Sequence, residues 1–173
     1  LDGTDSKHPI VVAAARRGQS PRLLQGGEVI EISETARFRV LGPTQLNTDN
    51  ENNNSLVMRL ETADGSILLT GDMKFEEEYL LISRGLLQQT EVLKVAFHGD
   101  NTSTSDSFLS AVRPLVGVIS TSTREEKDTP AKSTLYRLAS VGCKTVVTQD
   151  AVSAVRVTLK DGVPSVALED WQQ

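Results

Sequence analysis

The sequence has few of the residues from which metal and redox sites are usually built. It contains one cysteine, Cys143, and two histidines, His8 and His98, in 173 residues. A single cysteine excludes an internal disulfide and a cysteine-rich zinc knuckle, and the position of Cys143 between a predicted helix end and a strand is typical of a packed thiol. Two histidines are few for a catalytic zinc, which usually takes three protein ligands with histidine prominent.

Long apolar runs and an excess of positive charge are also absent. No apolar stretch approaches the roughly 18 to 20 residues that span a bilayer, and residues 1–6 lack the basic and apolar parts of a secretion signal, so the chain as given is expected to be soluble. The formal net charge of −5 argues against a nucleic-acid-binding surface over the whole molecule, although not against a local one. No Walker loop, dinucleotide fingerprint, kinase signature or Gly-x-Ser-x-Gly elbow occurs.

What is present is the composition of an ordinary globular domain. With 38% hydrophobic and 24% charged residues and no repeats, residues 1–173 are expected to form a single domain with a loose segment at residues 1–7. Alternating helical and strand patterns indicate an α/β fold. The predicted helices are 9–17, 74–89, 105–113 and 130–141, the predicted strands are 28–33, 37–41, 56–60, 66–70, 91–95, 115–120, 144–148, 154–159 and 164–168, and a polar loop is predicted at 121–129.

Two segments on either side of the predicted hairpin at residues 56–70 carry specific expectations. Residues 44–54 contain five asparagines and two acidic residues, which predicts an exposed loop. The acidic triplet at residues 76–78 predicts a solvated start for the helix that follows the hairpin. The apolar face of that helix is predicted from residues at helical spacing, namely Phe75, Tyr79, Ile82 and Leu86.

The residues best suited to carry chemistry are Asp72 and His98, which each follow an apolar strand at a glycine-containing turn. A right-handed strand-helix-strand connection would place these strand ends side by side. A carboxylate and an imidazole there would form half of a metal site, although Asp72 could instead cap the following helix. Asp100 and Asp106 could add oxygen ligands or serve as turn and capping residues, and His8 is expected to be exposed.

A serine- and threonine-rich segment lies between His98 and the next predicted helix. Thr102, Ser103 and Ser105 are candidate phosphate contacts, because the backbone N–H groups at a helix start attract anions. Ordinary helix capping explains the same residues. Both interpretations stay open at this point.

Several stretches of the chain resemble the second half of a metallo-β-lactamase-fold domain, in the variety found in the ComEC family of DNA-internalisation (competence) proteins. The resemblance is carried by residues 52–60, by 66–72 with its Thr-Gly-Asp, by 92–105 with its Phe-His-Gly-Asp, and by 108–120. It covers residues 26–162 in order and without large gaps. It implies an α/β αββα sandwich, represented here mainly by its second half, with a mixed sheet and flanking helices.

The resemblance also implies a function. In this family the Thr-Gly-Asp aspartate binds metal, which carries over to Asp72, and the loop around His98 normally reads Pro-His-His-Gly-Ser. Asp72 and His98 would therefore be the catalytic and metal-binding residues, with zinc or manganese as the metal. The implied activity is hydrolysis of a phosphodiester, with DNA as the partner and a bacterial membrane-associated protein as the parent, of which this chain would be a soluble domain.

Several ligands expected from the resemblance are absent. Phe97 stands where the family has a histidine, Asp100 stands where it has serine, and a later Gly-His-Pro falls near residues 127–130, where Thr129 precedes the proline. The His-x-His-x-Asp-His motif does not occur in the chain. The chain is expected to be a fragment, to have lost catalysis, or both. Its abrupt start favours a fragment, whereas the substitutions at Phe97 and Thr129 favour loss. A lone half of the sandwich would expose an apolar sheet face, which predicts a homodimer or a missing N-terminal half as its cover.

Two other functions stay open beside the hydrolase. One is a scaffold or nucleic-acid-contacting module that keeps the fold without the metal, and the other is a hydrolase of the same fold for a small phosphorylated or choline-bearing substrate. The enzyme needs at least one more strong ligand near Asp72 and His98, whereas the module does not.

Overall fold

The fold, seen in a computed structural model, consists of a seven-stranded sheet, a two-stranded hairpin and four helices within the described residues 8–47, 49–121, 128–150 and 154–169. The expected loose segment at 1–7 and most of the loop predicted at 121–129 lie outside these residues. The helices are α1 (Pro9–Arg16), α2 (Phe75–Ser83), α3 (Asp106–Val112) and α4 (Lys132–Ser140). The strands are β1 (Val29–Ser33), β2 (Ala36–Gly42), β3 (Val57–Thr62), β4 (Gly65–Leu69), β5 (Val92–Lys94), β6 (Val116–Ile119), β7 (Lys144–Val147), β8 (Ala154–Lys160) and β9 (Val163–Glu169).

The large sheet is mixed, and its strand order follows the chain from β1 to β7. Strands β1 to β4 form an antiparallel meander, whereas β4 to β7 run parallel and are connected through α2, α3 and α4. The predicted parallel pairing of the two strands that precede Asp72 and His98 is confirmed, because Leu68 of β4 lies opposite Leu93 of β5. The loops that follow these two strands therefore leave the sheet at the same edge.

The hydrophobic core lies between one face of this sheet and the helices α2, α3 and α4. Leu68, Leu93 and Ile119 from the sheet pack against fully buried helix residues such as Phe108 and Leu138. Each such side chain contributes about 1.5 to 3 kcal/mol by leaving water. The described residues contain no helix with the length and apolarity needed to cross a membrane.

Cys143 belongs to this core, as the sequence predicts. Its side chain is buried, and burial raises the pKa of the thiol from 9.0 to about 11. The thiol therefore stays protonated and unreactive near neutral pH.

The opposite face of the sheet carries a second apolar row. Phe38, Leu60, Ile67, Val92 and Val116 are cross-strand neighbours from β2 to β6, and they point away from the helices because successive side chains in a strand alternate between faces. The first three are only half-buried, whereas the two valines are 3% exposed. The predicted homodimer or missing half that would cover this face stays a prediction.

Part of the helix-side face of β2 and β3 is polar. Arg37 and Arg39 hydrogen bond to the carboxylate of Glu61 at 2.7 and 3.1 Å, and Arg59 lies 3.8 Å from it. The hydrogen bond from Arg39 lowers the pKa of Glu61, and Arg37 adds to the shift against the effect of partial burial. Three guanidinium groups therefore share one carboxylate between two antiparallel strands.

The helix predicted at residues 74–89 is shorter than expected, and its predicted apolar face is only partly right, because Ile82 packs against the core whereas Phe75 and Tyr79 do not. Helix α2 ends at Ser83, because the chain turns at Gly85, whose φ of 65° is left-handed. Phe75 and Tyr79 are 39% and 69% exposed. The residues that α2 buries include two glutamates, which are described with the site below.

Candidate metal centre

Asp72 lies in the tight turn that follows β4. Gly71 has a φ of 55°, and a Cβ at this position would lie 2.7 Å from the Cβ of Ser55, so both the backbone conformation and the close approach require glycine. The N–H of Asp72 donates to the Oγ of Ser55 at 2.9 Å. This contact fixes the turn while the Asp72 side chain remains 41% exposed.

His98 lies in a short 3₁₀ turn, Ala96–Gly99, that directly follows β5. Both Phe97 (φ 46°, ψ 48°) and His98 (φ 55°, ψ 19°) are left-handed, a conformation that is uncommon outside glycine and that costs about 1 to 3 kcal/mol per residue. The N–H of Phe97 donates to the carbonyl oxygen of Gly71 at 3.1 Å. The turn of His98 is thus joined to the turn of Asp72 through the backbone.

The structure brings the two predicted ligands together. The Nε2 atom of His98 lies 3.7 Å from Oδ1 of Asp72, and Nδ1 of His98 lies 2.6 Å from the carbonyl oxygen of Ser120. Since a carbonyl oxygen only accepts, Nδ1 carries the hydrogen, and the Nε2 lone pair is on the side of Asp72 when the ring is neutral. A backbone carbonyl on one ring nitrogen is the usual support of a metal-binding histidine.

Lys94, the last residue of β5, adds a positive charge to the pair. Its Nζ donates to the carbonyl oxygen of Gly71 at 3.0 Å and lies 3.8 Å from Oδ1 of Asp72. The ammonium group stands beside the carboxylate that a metal would use and neutralises part of its charge. Sequence reasoning missed Lys94, although its place at the end of the strand before His98 was a signal that could have found it.

The donor set fits a metal ion in type and spacing but not in number. Two ligand atoms on one tetrahedral zinc lie about 3.4 Å apart, which is close to the separation of the Asp72 and His98 atoms. The described part of the chain, however, contains no group of three or more His, Cys, Asp or Glu side chains that could hold a metal ion. A third side-chain ligand of these four types would have to come from outside the described residues.

The other candidate oxygen ligands, Asp100 and Asp106, and the histidine His8 lie in turns or at helix starts. Oδ1 of Asp100 accepts hydrogen bonds from the N–H and the hydroxyl of Thr102 at 2.8 and 2.6 Å. Asp106 lies in the first turn of α3, and Nδ1 of His8 accepts from the N–H of Ile10 at the start of α1. These contacts are of the turn and capping kind.

The candidate phosphate contacts lie in the same segment after His98. Ser103 is fully buried, and its hydroxyl donates to the carbonyl oxygen of Ala96 at 3.1 Å. Ser105 is the N-cap of α3 and accepts from the N–H of Phe108 at 3.2 Å, whereas Thr102 is exposed. Their role in binding phosphate stays a prediction.

Within the asparagine-rich segment predicted as an exposed loop, Asn53 is buried against the start of α2, which corrects the prediction at this residue. Asn53, in a 3₁₀ turn at Glu51–Asn54, is only 2% exposed. Its Oδ1 accepts from the N–H of Lys74 at 2.8 Å, and its Nδ2 donates to the carboxylate of Glu76 at 3.1 Å. One amide side chain therefore caps α2 immediately after Asp72, and composition alone gave no signal for it.

In the acidic triplet at residues 76–78, which was predicted to be a solvated helix start, Glu76 is exposed but the other two residues are buried. Glu77 and Glu78 are each 1% exposed, and burial raises the pKa of both carboxyl groups. Glu77 accepts from the N–H and hydroxyl of Thr44 at 2.7 and 3.1 Å, and Glu78 accepts from the N–H groups of Thr104 and Ser105. Each carboxyl group is buried because it satisfies the backbone of a loop on a different side of α2.

Comparison with known proteins identifies the class to which this fold belongs. A family model described as the metallo-beta-lactamase superfamily matches residues 7–123, more than half of the chain. The chain belongs to the metallo-β-lactamase superfamily. The fold class predicted from the sequence is thereby confirmed.

The similar curated proteins include one that is named a competence protein. The chain is 30% identical over 129 residues to ComE operon protein 3 of Bacillus subtilis, 36% identical over 121 residues to recombination protein 2 of Haemophilus influenzae, and 31% identical over 108 residues to competence protein ComA of Neisseria gonorrhoeae. These alignments cover 75%, 69% and 62% of this chain but only 16%, 15% and 16% of the relatives. The predicted resemblance to ComEC proteins is confirmed for a domain about one sixth of their length.

A solved structure shows the same fold. A protein from Parabacteroides distasonis, assigned as a metal-dependent hydrolase, superposes with a TM-score of 0.52 at 13% identity, covering 80% of this chain and 61% of that one. At this identity the likeness concerns the fold alone.

Proposed function

We propose that this chain is the metallo-β-lactamase-type domain of a membrane-associated DNA-uptake protein, and that Asp72 and His98 are two ligands of a zinc or manganese ion that serves phosphodiester hydrolysis. The observation that carries the proposal is the 3.7 Å separation of Asp72 Oδ1 and His98 Nε2, with the other ring nitrogen of His98 on the Ser120 carbonyl. When bound, such an ion would supply a nucleophilic water and stabilise negative charge on the phosphate oxygens. The names of the competence relatives support DNA as the substrate class.

The chain's own residues would prepare this site before any ion binds. Ser55 and the left-handed Gly71 hold the Asp72 turn, and the Ser120 carbonyl orients the His98 ring. Lys94 would balance part of the negative charge of Asp72 and offer a cation to a phosphate oxygen. These roles are binding and orientation, which are the contributions a rigid loop edge can make.

Metal content of the purified chain tests the proposal. After incubation with zinc or manganese and exhaustive dialysis, elemental analysis should find close to one equivalent in the wild-type chain and none in the Asp72→Ala, His98→Ala double variant. The matched control is the His8→Ala, Asp106→Ala double variant, which removes the same two types of side chain outside the pair and should keep the metal. Wild-type chain that retains no metal, or control and pair variants that lose it equally, would overturn the proposal.

A second function, that of a scaffold or DNA-contacting module without the metal, has one observation in its favour. The Lys94 ammonium lies 3.8 Å from the Asp72 carboxylate, so the protein supplies a counter-charge of its own at the position where a metal would bind. A module that has lost its metal would keep this pair and the fold around it. Unchanged binding of single-stranded DNA by wild type and by the Asp72→Ala, His98→Ala variant, with no metal in either, is the result that this function predicts.

A further inference from the structure

The segment that connects the His98 turn to α3, residues 100–105, has five of its six carbonyl oxygens and two of its N–H groups hydrogen bonded to α2 and α4. We refer to residues 100–105 as the connector. The connector begins one residue after the Ala96–Gly99 turn and ends at Ser105, the N-cap of α3. Its conformation therefore determines how the His98 turn is joined to the rest of the fold.

Glu78 of α2 holds one side of the connector. Its carboxylate accepts hydrogen bonds from the N–H groups of Thr104 and Ser105, the second at 2.9 Å. On the same side, the N–H of Phe75 donates to the carbonyl oxygen of Thr102 at 3.1 Å. With only 1% of its surface exposed, Glu78 has no solvent to replace these partners.

Arg137 of α4 holds the other side. Its Nε donates to the carbonyl oxygen of Thr104 at 2.8 Å, and its Nη2 donates to the carbonyl oxygens of Ser103 and Asn101 at 2.9 and 3.4 Å. A buried anion therefore binds the N–H groups and a cation binds the carbonyl groups of the same short stretch. Charged partners make these hydrogen bonds roughly twice as strong as neutral ones.

The connector needs this support because its own preferences oppose its shape. Thr104 is β-branched, yet its φ is 60°, a conformation that such residues very rarely adopt. Its hydroxyl is buried and has no hydrogen-bond partner within the described structure. Local sequence therefore does not stabilise this conformation, and the contacts from Glu78 and Arg137 do.

The connector in turn contacts the His98 turn directly. The Ser103 hydroxyl donates to the carbonyl oxygen of Ala96, the first residue of that turn, at 3.1 Å. At its other end, the carbonyl oxygen of Gly99 accepts from the N–H of Ala131 at 2.9 Å. The left-handed pair Phe97 and His98 is thus enclosed between fixed points on both sides.

We propose that Glu78 and Arg137 are positioning residues for His98, and that their joint hold on the connector sets the ring orientation that places Nε2 beside Asp72. The consequence for metal binding rests on the proposed function. The effect on the orientation of the His98 ring does not rest on the proposed function, because this orientation is a property of the metal-free chain.

The test compares Glu78→Gln with Glu77→Gln in the metal-free chain. Both glutamates are 1% exposed and lie on α2, but Glu77 accepts from Thr44, away from the connector. At a fixed pH above the titration range of histidine, NMR of the imidazole nitrogens should show that His98 loses its single Nδ1–H tautomer in Glu78→Gln and keeps it in Glu77→Gln. The His8 ring serves as an internal reference. A His98 signal that is unchanged in Glu78→Gln, or equally changed in both variants, would overturn the proposal.

The Arg137→Lys variant tests the proposal independently if the Glu78→Gln variant fails to fold. Lysine keeps the charge but loses the fork that reaches several carbonyl groups, so the same loss of the Nδ1–H tautomer is expected. Unchanged His98 signals in this variant would also contradict the proposal. If the wild-type chain binds zinc, the affinity should fall about 10-fold or more in either connector variant. A wild-type chain that binds no metal would end the proposed function and leave the NMR result to decide the positioning roles.

Discussion

At the scale of single residues, the candidate site depends on side chains that look unremarkable in the sequence. Asp72 and His98 were predicted because strand ends and glycine turns mark positions where ligands are common. Asn53 and Ser55 were not, because each depends on a contact between segments that are distant along the chain. Sequence patterns report local geometry, and such pairings become visible only when the chain is folded.

The role of Asn53 leads to a direct stability prediction. Asn53→Ala should lower the free energy of unfolding by about 1 to 3 kcal/mol, because it removes the cap of the Lys74 N–H and leaves buried polar groups without partners. Asn52→Ala, in the same turn but only half-buried, is the control and should change stability by less than about 0.5 kcal/mol. Urea denaturation followed by circular dichroism measures both, and equal losses would show that Asn53 has no special role.

At the scale of elements, the sequence predicted which helices and strands exist far better than it predicted how they pack. Each predicted helix and strand is present with ends that differ by a few residues. The exception is the helix predicted at 74–89, which ends at Ser83. The packing of α2 was predicted from apolar spacing, whereas the buried face is formed in part by Glu77 and Glu78. Apolar periodicity does not predict this buried face, because the two glutamates are buried in order to accept hydrogen bonds from the N–H groups of loops. Those loops lie in other parts of the sequence, so the sequence of α2 alone does not indicate them.

The pairing of β2 with β3 carries a pH-dependent contribution to stability from Glu61. Its pKa is lowered from 4.5 in the folded state, so the stabilisation is fully present above the unfolded pKa and is lost as pH falls through the folded value. Glu61→Gln should therefore cost about 0.5 kcal/mol at about pH 7, after solvent screening, and less at about pH 3, because the stabilisation declines as pH falls below the unfolded pKa. Thermal unfolding of both proteins at the two pH values measures this, and a difference independent of pH would exclude the ion pairs as its source.

At the scale of the whole molecule, the two faces of the sheet differ in how deeply they are buried. The helix-side face carries the fully buried core, whereas the opposite apolar row from Phe38 to Ile67 is only half-buried. The sequence predicted the mixed sheet and the open face through the resemblance to one half of the metallo-β-lactamase sandwich. It could not predict what covers that face, and the structure of a single chain does not add a partner.

Two leucines on neighbouring strands test this difference between the faces. Leu68→Ala on the helix side should lower the free energy of unfolding by about 2 to 5 kcal/mol, because the side chain is 2% exposed and leaves a cavity. Leu60→Ala on the open side should cost roughly 1 kcal/mol, since a half-exposed side chain gains less from folding. Chemical denaturation at low protein concentration provides the comparison, and similar losses would mean that the open face is covered even in the isolated chain.

The close approach of Ser55 to Gly71 also matters to anyone who redesigns this protein. Surface segments rich in asparagine are the usual places to shorten a chain or to insert a tag. Here the 44–55 segment must remain intact, since removing it would release the Asp72 turn and the start of α2 together. Insertions belong instead at the Asp161-Gly162 turn of the β8–β9 hairpin, which contacts the β3–β4 turn and lies at the end of the sheet away from both candidate ligands.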